Sequence, residues 1–241
     1  MSWRTRIGVI YPADGLLDDE LWALVPEGVA PLVTREEVPP EDVNLDVVIR
    51  VAESRGIEDA ARCLTVIKPH VLAYFCTSAT FARGVGGDME IVERMQAAGN
   101  APATTTSTAT IRALQKLEAE AVAVATPYID EINERLVAFL KDHGFGVINL
   151  EGMRLGSGIG EVPLEQVYRF ARRADSERAD ALYIACTNIR TVGILDELEE
   201  DLGKPVLSAN QVTMWDALRI AGVKGWVPGA GSLYDLLEEG E

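Results

Sequence analysis

The chain has 241 residues, with 22 Lys and Arg against 38 Asp and Glu, and the resulting formal net charge of −16 argues against a nucleic-acid-binding face. Hydrophobic residues make up 48% and charged residues 25%, which supplies a large core and excludes a disordered or fibrous chain. No apolar run reaches the ~18 residues of a membrane-spanning helix, and Met1-Ser2-Trp3-Arg4 runs directly into a strand-like segment rather than a signal sequence, so the expectation is a cytoplasmic protein without a membrane partner.

In chain order, Ile7-Gly8-Val9-Ile10-Tyr11 reads as a buried parallel strand, because it is apolar on both faces. Residues 41–67 then carry Val47, Val48, Val51, Ala60, Ala61 and Leu64 at helical intervals. Val71-Leu72-Ala73-Tyr74-Phe75 is a second strand and leads into Cys76-Thr77-Ser78. A Thr-rich stretch, Thr104 to Thr108, opens another helix. The strand Ala121-Val122-Ala123-Val124-Ala125 precedes Thr126-Pro127-Tyr128 and a helix over 129–142, with Ile132, Leu136, Phe139 and Leu140 on one face and Gly144 as its C-cap. Ala181-Leu182-Tyr183-Ile184-Ala185 leads into Cys186-Thr187-Asn188, and Ser208 and Asn210 open the last predicted helix. This alternation is that of an α/β protein.

The pattern also repeats. The strand over 7–11 with its Pro12 matches the strand over 121–125 with its Pro127; the Cys76 turn matches the Cys186 turn; and the segment 102–108 matches 205–210. Three matches in the same order predict two similar flavodoxin-like lobes with parallel sheets, related by a pseudo-twofold. The N-terminal lobe is expected over 1–115, with the 219–241 tail returning to it, and the C-terminal lobe over 116–218. Ligands of parallel sheets bind outside the carboxyl ends of the strands, so the site is expected in the cleft between the lobes.

Three cysteines without close spacing suit reduced thiols better than disulfides or zinc, and two histidines without an HExxH motif make a histidine metal centre unexpected. Cys63, inside a helical pattern, reads as a small core residue. Cys76 and Cys186 differ because they hold equivalent places in the two halves and would face each other across one cleft. A helix start after each is expected to lower its pKa from the usual ~8.5. Two such thiols can take a proton from one face of a carbon and return one to the other, which is racemisation or isomerisation next to a carboxylate. Stabilisation of the carbanion then falls to hydroxyls and N–H groups, for which Thr77, Ser78, Thr104 to Thr108, Tyr128, Thr187, Asn188, Ser208 and Asn210 are candidates. Lys and Arg are absent from these loops, which leaves helix N-termini and hydroxyls to hold an anion.

The stretch Thr126-Pro127-Tyr128-Ile129-Asp130-Glu131-Ile132-Asn133-Glu134-Arg135-Leu136, the two cysteine turns and Pro228-Gly229-Ala230-Gly231 together resemble the Asp/Glu racemase superfamily. Within it they are similar to the branch that holds maleate cis-trans isomerase and arylmalonate decarboxylase. The resemblance implies two α/β lobes, no cofactor, catalysis by Cys76 and Cys186, and carboxylate binding by Thr77, Ser78, Tyr128 and the N–H groups after each cysteine. The decarboxylase carries Gly in place of Cys76, and the maleate isomerase carries Asn where this chain has Asp14-Gly15. Another departure is at Val43, near which the decarboxylase has a Tyr.

The functional expectation is a cofactor-independent isomerase or racemase of a small carboxylic acid, with Cys76 and Cys186 catalytic and Thr77, Ser78, Tyr128, Thr187 and Asn188 binding substrate. A decarboxylase of a substituted malonate is the alternative enzyme, and a non-catalytic small-ligand receptor the alternative of another class. A homo-oligomer is left open.

Overall fold

The structure is a computed structural model, and residues 5–237 are described. The first half comprises β1 (Thr5–Pro12), α1 (Asp18–Ala23), β2 (Val29–Glu36), α2 (Leu45–Glu53), α3 (Gly56–Leu64), β3 (Val71–Tyr74), α4 (Thr77–Phe81), α5 (Gly87–Gly99), β4 (Ala103–Thr105) and α6 (Thr106–Lys116). The second comprises β5 (Ala121–Thr126), α7 (Asp130–Asp142), β6 (Gly146–Gly152), α8 (Leu164–Ala174), β7 (Ala181–Ile184), α9 (Leu195–Leu202), β8 (Val206–Ser208) and α10 (Ala209–Ile220).

Each half builds a four-stranded parallel sheet, in the orders β2-β1-β3-β4 and β6-β5-β7-β8. These are the same order, and it is that of the first four strands of flavodoxin-like sheets. The predicted α/β class and two-lobed repeat are therefore seen, with β1 equivalent to β5, β3 to β7 and β4 to β8. The strands are apolar on both faces because helices cover both. Along β3 the period of two sends Val71, Ala73 and Phe75 into one hydrophobic cluster and Leu72, Tyr74 and Cys76 into another.

Polar contacts knit the halves together. The Thr213 hydroxyl on α10 donates to Thr106 Oγ1 at 3.0 Å, Thr110 Oγ1 on α6 donates to the Tyr183 hydroxyl at 3.1 Å, and Thr104 Oγ1 donates to the buried Asp216 at 2.5 Å. The segment after α10 touches both halves: the Tyr234 hydroxyl donates to the Leu24 carbonyl, whereas Ser232 N donates to Glu199. The rest of the 219–241 tail, beyond Leu237, lies outside the described residues.

Two local expectations are corrected. The helical pattern over 41–67 is not one helix, because Ser54 is extended at ψ 137° and separates α2 from α3. Cys63 is exposed on α3 rather than packed in the core, since the buried stripe of that helix is Ile57, Ala60, Ala61 and Leu64. The helix predicted over 129–142 is α7, and Gly144 ends it at φ +93°, a backbone conformation that favours glycine.

Candidate active site

Strand β3 runs on through Phe75, whose N–H donates to the Ile10 carbonyl at 2.9 Å, and delivers Cys76 as the extended N-cap of α4. In the other half, Ala185 N donates to the Ala125 carbonyl at 2.8 Å, and Cys186 follows at φ +92°. A non-glycine residue in that region is strained and persists only where its surroundings hold it. What holds this one is a set of contacts from the opposite half. The Thr187 hydroxyl donates to the Phe75 carbonyl at 3.0 Å, and the Tyr11 hydroxyl donates to the Thr187 carbonyl at 2.7 Å. The Asn188 side chain accepts from Leu16 N and donates to the Asp14 carbonyl. Farther along the same loop, the buried carboxylate of Glu20 on α1 accepts from Thr191 N at 2.6 Å, Val192 N at 2.8 Å and Asn210 Nδ2 at 2.8 Å.

Both cysteines line one cavity, which also takes in Thr77, Ser78, Tyr128, Thr187 and Asn188. The two cysteines and the five residues expected to bind substrate therefore meet in one place. The space open to the centre of a water-sized sphere is about 90 Å³, several times the ~10–15 Å³ that one water needs, which suits a small molecule. Val38, Pro39, Val43, Val47, Val48 and Val51 form an apolar wall. Among the described residues lining the cavity, the charged ones are Asp14 and Glu41, and none is Lys or Arg.

The polar groups divide by what they already bind. Thr187 and Asn188 have their side chains engaged in the ties between halves. The Thr77 hydroxyl is buried and makes no hydrogen bond of good geometry, so it can serve a ligand. Tyr128 is buried, lines the same cavity as Cys186, and its phenol favours the Cys186 thiolate. The motif around it explains how it is held: Thr126 Oγ1 donates to Asn133 Oδ1 at 2.6 Å and accepts from Tyr128 N, and Asn133 Nδ2 donates to the Tyr128 carbonyl at 3.1 Å. Phe81 meets the Tyr128 ring edge-on, with centroids 6.1 Å apart.

The expected lowering of the thiol pKa values is corrected. Burial pushes Cys76 up to about 12 and Cys186 up to about 11. Helix dipoles do little here, because α4 has only five residues and no helix follows Cys186 until Leu195. Cys186 is the more easily ionised of the two, since Asn188 N donates to its sulfur at 3.4 Å and Ile189 N and the Tyr128 hydroxyl also lower its pKa. Cys76 has Ala79 N and the Tyr74 hydroxyl in that role but faces the Glu36 carboxylate. The Asp14 carboxylate raises both thiols.

Of the expected donors outside the two cysteine turns, Tyr128 lines the cavity, whereas Thr104 to Thr108, Ser208 and Asn210 do not. Thr104 binds Asp216, Thr105 caps α6, Thr108 donates to the buried Asp88, Ser208 forms a capping box with Gln211, and Asn210 serves Glu20. Helix capping and buried networks account for that whole group. Sequence reasoning missed Glu20, Glu36, Tyr11 and Tyr74. No local signal marks them, because an isolated acid or tyrosine looks the same in sequence whether it is buried or not.

Comparison with known proteins fits this geometry. The chain is 32% identical over 237 residues to the arylmalonate decarboxylase of Bordetella bronchiseptica, covering 94% of this chain and 95% of that protein. It is also 32% identical over 183 residues to the maleate isomerase of Nocardia farcinica, covering 71% and 73% respectively. A solved structure of the Nocardia farcinica maleate cis-trans isomerase, a cysteine-to-serine mutant with a covalently bound succinylcysteine intermediate, superimposes with a TM-score of 0.87 at 25% identity, over 98% of this chain and 99% of that one. Since the arylmalonate decarboxylase model matches residues 34–234, from the end of β2 to the last described turn, the chain belongs to the arylmalonate decarboxylase family.

Proposed function

We propose that the protein is a cofactor-independent isomerase or racemase of a small carboxylic acid, in which Cys76 and Cys186 exchange protons with the substrate. The observation that carries this reading is that two thiols, from the equivalent ends of β3 and β7, line one small cavity. The substrate carboxylate would sit against the Thr77 and Ser78 hydroxyls, the N–H groups opening α4 and the Tyr128 phenol. Hydrogen bonds there strengthen as the carboxylate takes up charge on its way to an enediolate. The raised pKa values give the thiolate greater basicity toward a weakly acidic C–H at the cost of a small ionised fraction. Cys186 is the thiol that ionises more readily to take the substrate proton, and Cys76 the thiol that returns one, because the donors converge on Cys186. The valine wall and the two carboxylates favour an acid with one carboxylate and an apolar substituent over a dicarboxylate such as maleate. Conversion of one enantiomer of such an acid in D2O, with deuterium appearing at the α-carbon and the carboxylate retained, tests the reading; recovery of the substrate without deuterium counts against it.

A second reading is a decarboxylase of a substituted malonate, favoured by the identity to the Bordetella bronchiseptica enzyme. Such a reaction needs one thiol to protonate the carbanion left by CO2, and leaves Cys76 without a part. If the reaction is instead an alkene isomerisation, Cys76 is the nucleophile and Cys186 the proton donor, as the succinylcysteine in a cysteine-to-serine mutant of the Nocardia farcinica isomerase suggests. Release of CO2 from a substituted malonate, or a covalent adduct after acid quench, separates these from racemisation.

A further inference from the structure

Two residues before Cys76, on the same face of β3, Tyr74 is fully buried and its hydroxyl donates to Glu36 Oε2 at 2.5 Å. Glu36 ends β2 and is 1% exposed, and its other carboxylate oxygen is buried without a hydrogen-bond partner. Tyr74 and Cys76 pack in the same buried cluster, and the Tyr74 hydroxyl favours the Cys76 thiolate. An acid buried with one oxygen unpaired is costly, and packing alone is better served by an apolar residue. Nor does a dedicated ion pair account for it. Arg94 on α5 makes its hydrogen bonds to Glu58 on α3 and to the carbonyls of Ala52 and Ser54.

We propose that Glu36 sets the protonation state of Cys76 through the Tyr74 hydroxyl, so that acid, phenol and thiol share one exchangeable proton. In one state Glu36 is a carboxylic acid and Cys76 a thiolate; in the other Glu36 is a carboxylate and Cys76 a thiol. Between them the Tyr74 O–H bond breaks toward the Cys76 sulfur as the Glu36 O–H bond breaks toward the phenol oxygen. Tyr74 is a neutral phenol at both ends and the total charge is constant. Burial raises the Glu36 carboxyl to about 7, which lets it hold or release a proton near neutral pH. Besides Tyr74, the groups acting on Glu36 are Ser54 and Arg94, which lower its pKa, and Glu58, which raises it; Asp14 is the further charge acting on Cys76. The coupling gives Cys76 a partner from which to reload a proton between turnovers. To that extent it rests on the proposed function, but its test needs no substrate.

The test is alkylation of the intact protein by iodoacetamide across a range of pH, with the Cys63, Cys76 and Cys186 peptides quantified separately by mass spectrometry. E36Q removes the charge and keeps an acceptor for Tyr74, so the Cys76 rate–pH curve should move down by ~1 unit, about tenfold faster at a fixed pH below the pKa. Y74F removes the hydroxyl that joins Glu36 to Cys76, so E36Q should move the Cys76 curve less in a Y74F background than in wild type. Cys186, whose ionisation is set by burial, Asn188 N, Tyr128 and Asp14, should keep its wild-type curve in E36Q. Expected shifts in a protein with no activity on any acid support this coupling while counting against the proposed reaction. An unshifted Cys76 curve in E36Q, or faster reaction of all buried thiols in both variants as in a loosened fold, overturns it.

Discussion

The Thr187 hydroxyl donates to the Phe75 carbonyl at 3.0 Å, so the residue after one cavity thiol is tied to the residue before the other. This single bond fixes the two turns relative to each other across the cleft, and the Tyr11 hydroxyl on the Thr187 carbonyl closes the same junction from β1. T187V keeps the shape and deletes the bond, leaving the buried Phe75 carbonyl without that donor. The expected cost is about 1–2 kcal/mol of stability. If the spacing of the thiols matters to the chemistry, kcat should fall more than that loss of folded protein explains, whereas KM should change little. Urea denaturation beside steady-state kinetics separates the two.

Removing the thiols one at a time should have unequal consequences across the three cysteines. C76A and C186A should each abolish proton exchange by at least ~10²-fold while leaving the fold intact. Both are small buried side chains whose truncation leaves little void. C63A should be silent in activity and stability, because Cys63 is exposed on α3. Circular dichroism melts run alongside the kinetics check that a dead variant is folded.

Glu20 anchors the loop after Cys186 to α1 by accepting from Thr191 N, Val192 N and Asn210 Nδ2. E20A would leave those buried donors unpaired, at a cost on the order of 3 kcal/mol. The loss of order should be local to 187–192 and visible as faster amide exchange there than in the α2–α3 region.

The Glu36 carboxyl also makes stability depend on pH in an unusual direction for an acid. Its folded pKa, about 7, lies above its ordinary value of 4.5, so between those values the folded state binds more protons than the unfolded one. Stability therefore falls as pH rises through that window, and Glu36 is destabilising above it by on the order of 3 kcal/mol. E36Q should be more stable than wild type at pH about 8, and the difference should shrink toward pH about 4. Thermal melts of both proteins at the two pH values read this directly; a constant difference would contradict the assignment.

How much of this was legible in the sequence depends on the range of the interaction involved. The strands were legible because burial on both faces leaves uninterrupted apolar runs such as Val71 to Phe75, and the equivalence of Cys76 and Cys186 followed from matching strand ends. The break at Ser54 was not, because the apolar stripes of α2 and α3 continue in nearly helical register across it. The thiol pKa values came out with the opposite sign, because helix dipoles were weighed and burial was not. Glu20 and Glu36 were invisible for a further reason. Asp18-Asp19-Glu20 has the composition of an exposed helix start, and only contacts some 170–190 residues away in the chain make Glu20 a buried anchor.

The most direct measurement of the two-thiol account is deuterium incorporation in D2O, followed by mass spectrometry on chiral separation, for single enantiomers of small α-substituted carboxylic acids with wild type, C76A and C186A. The expected result is that wild type converts one enantiomer to the other with deuterium at the α-carbon, and that both variants lose the conversion. Conversion by C76A at the wild-type rate, showing that one thiol suffices, would contradict the account.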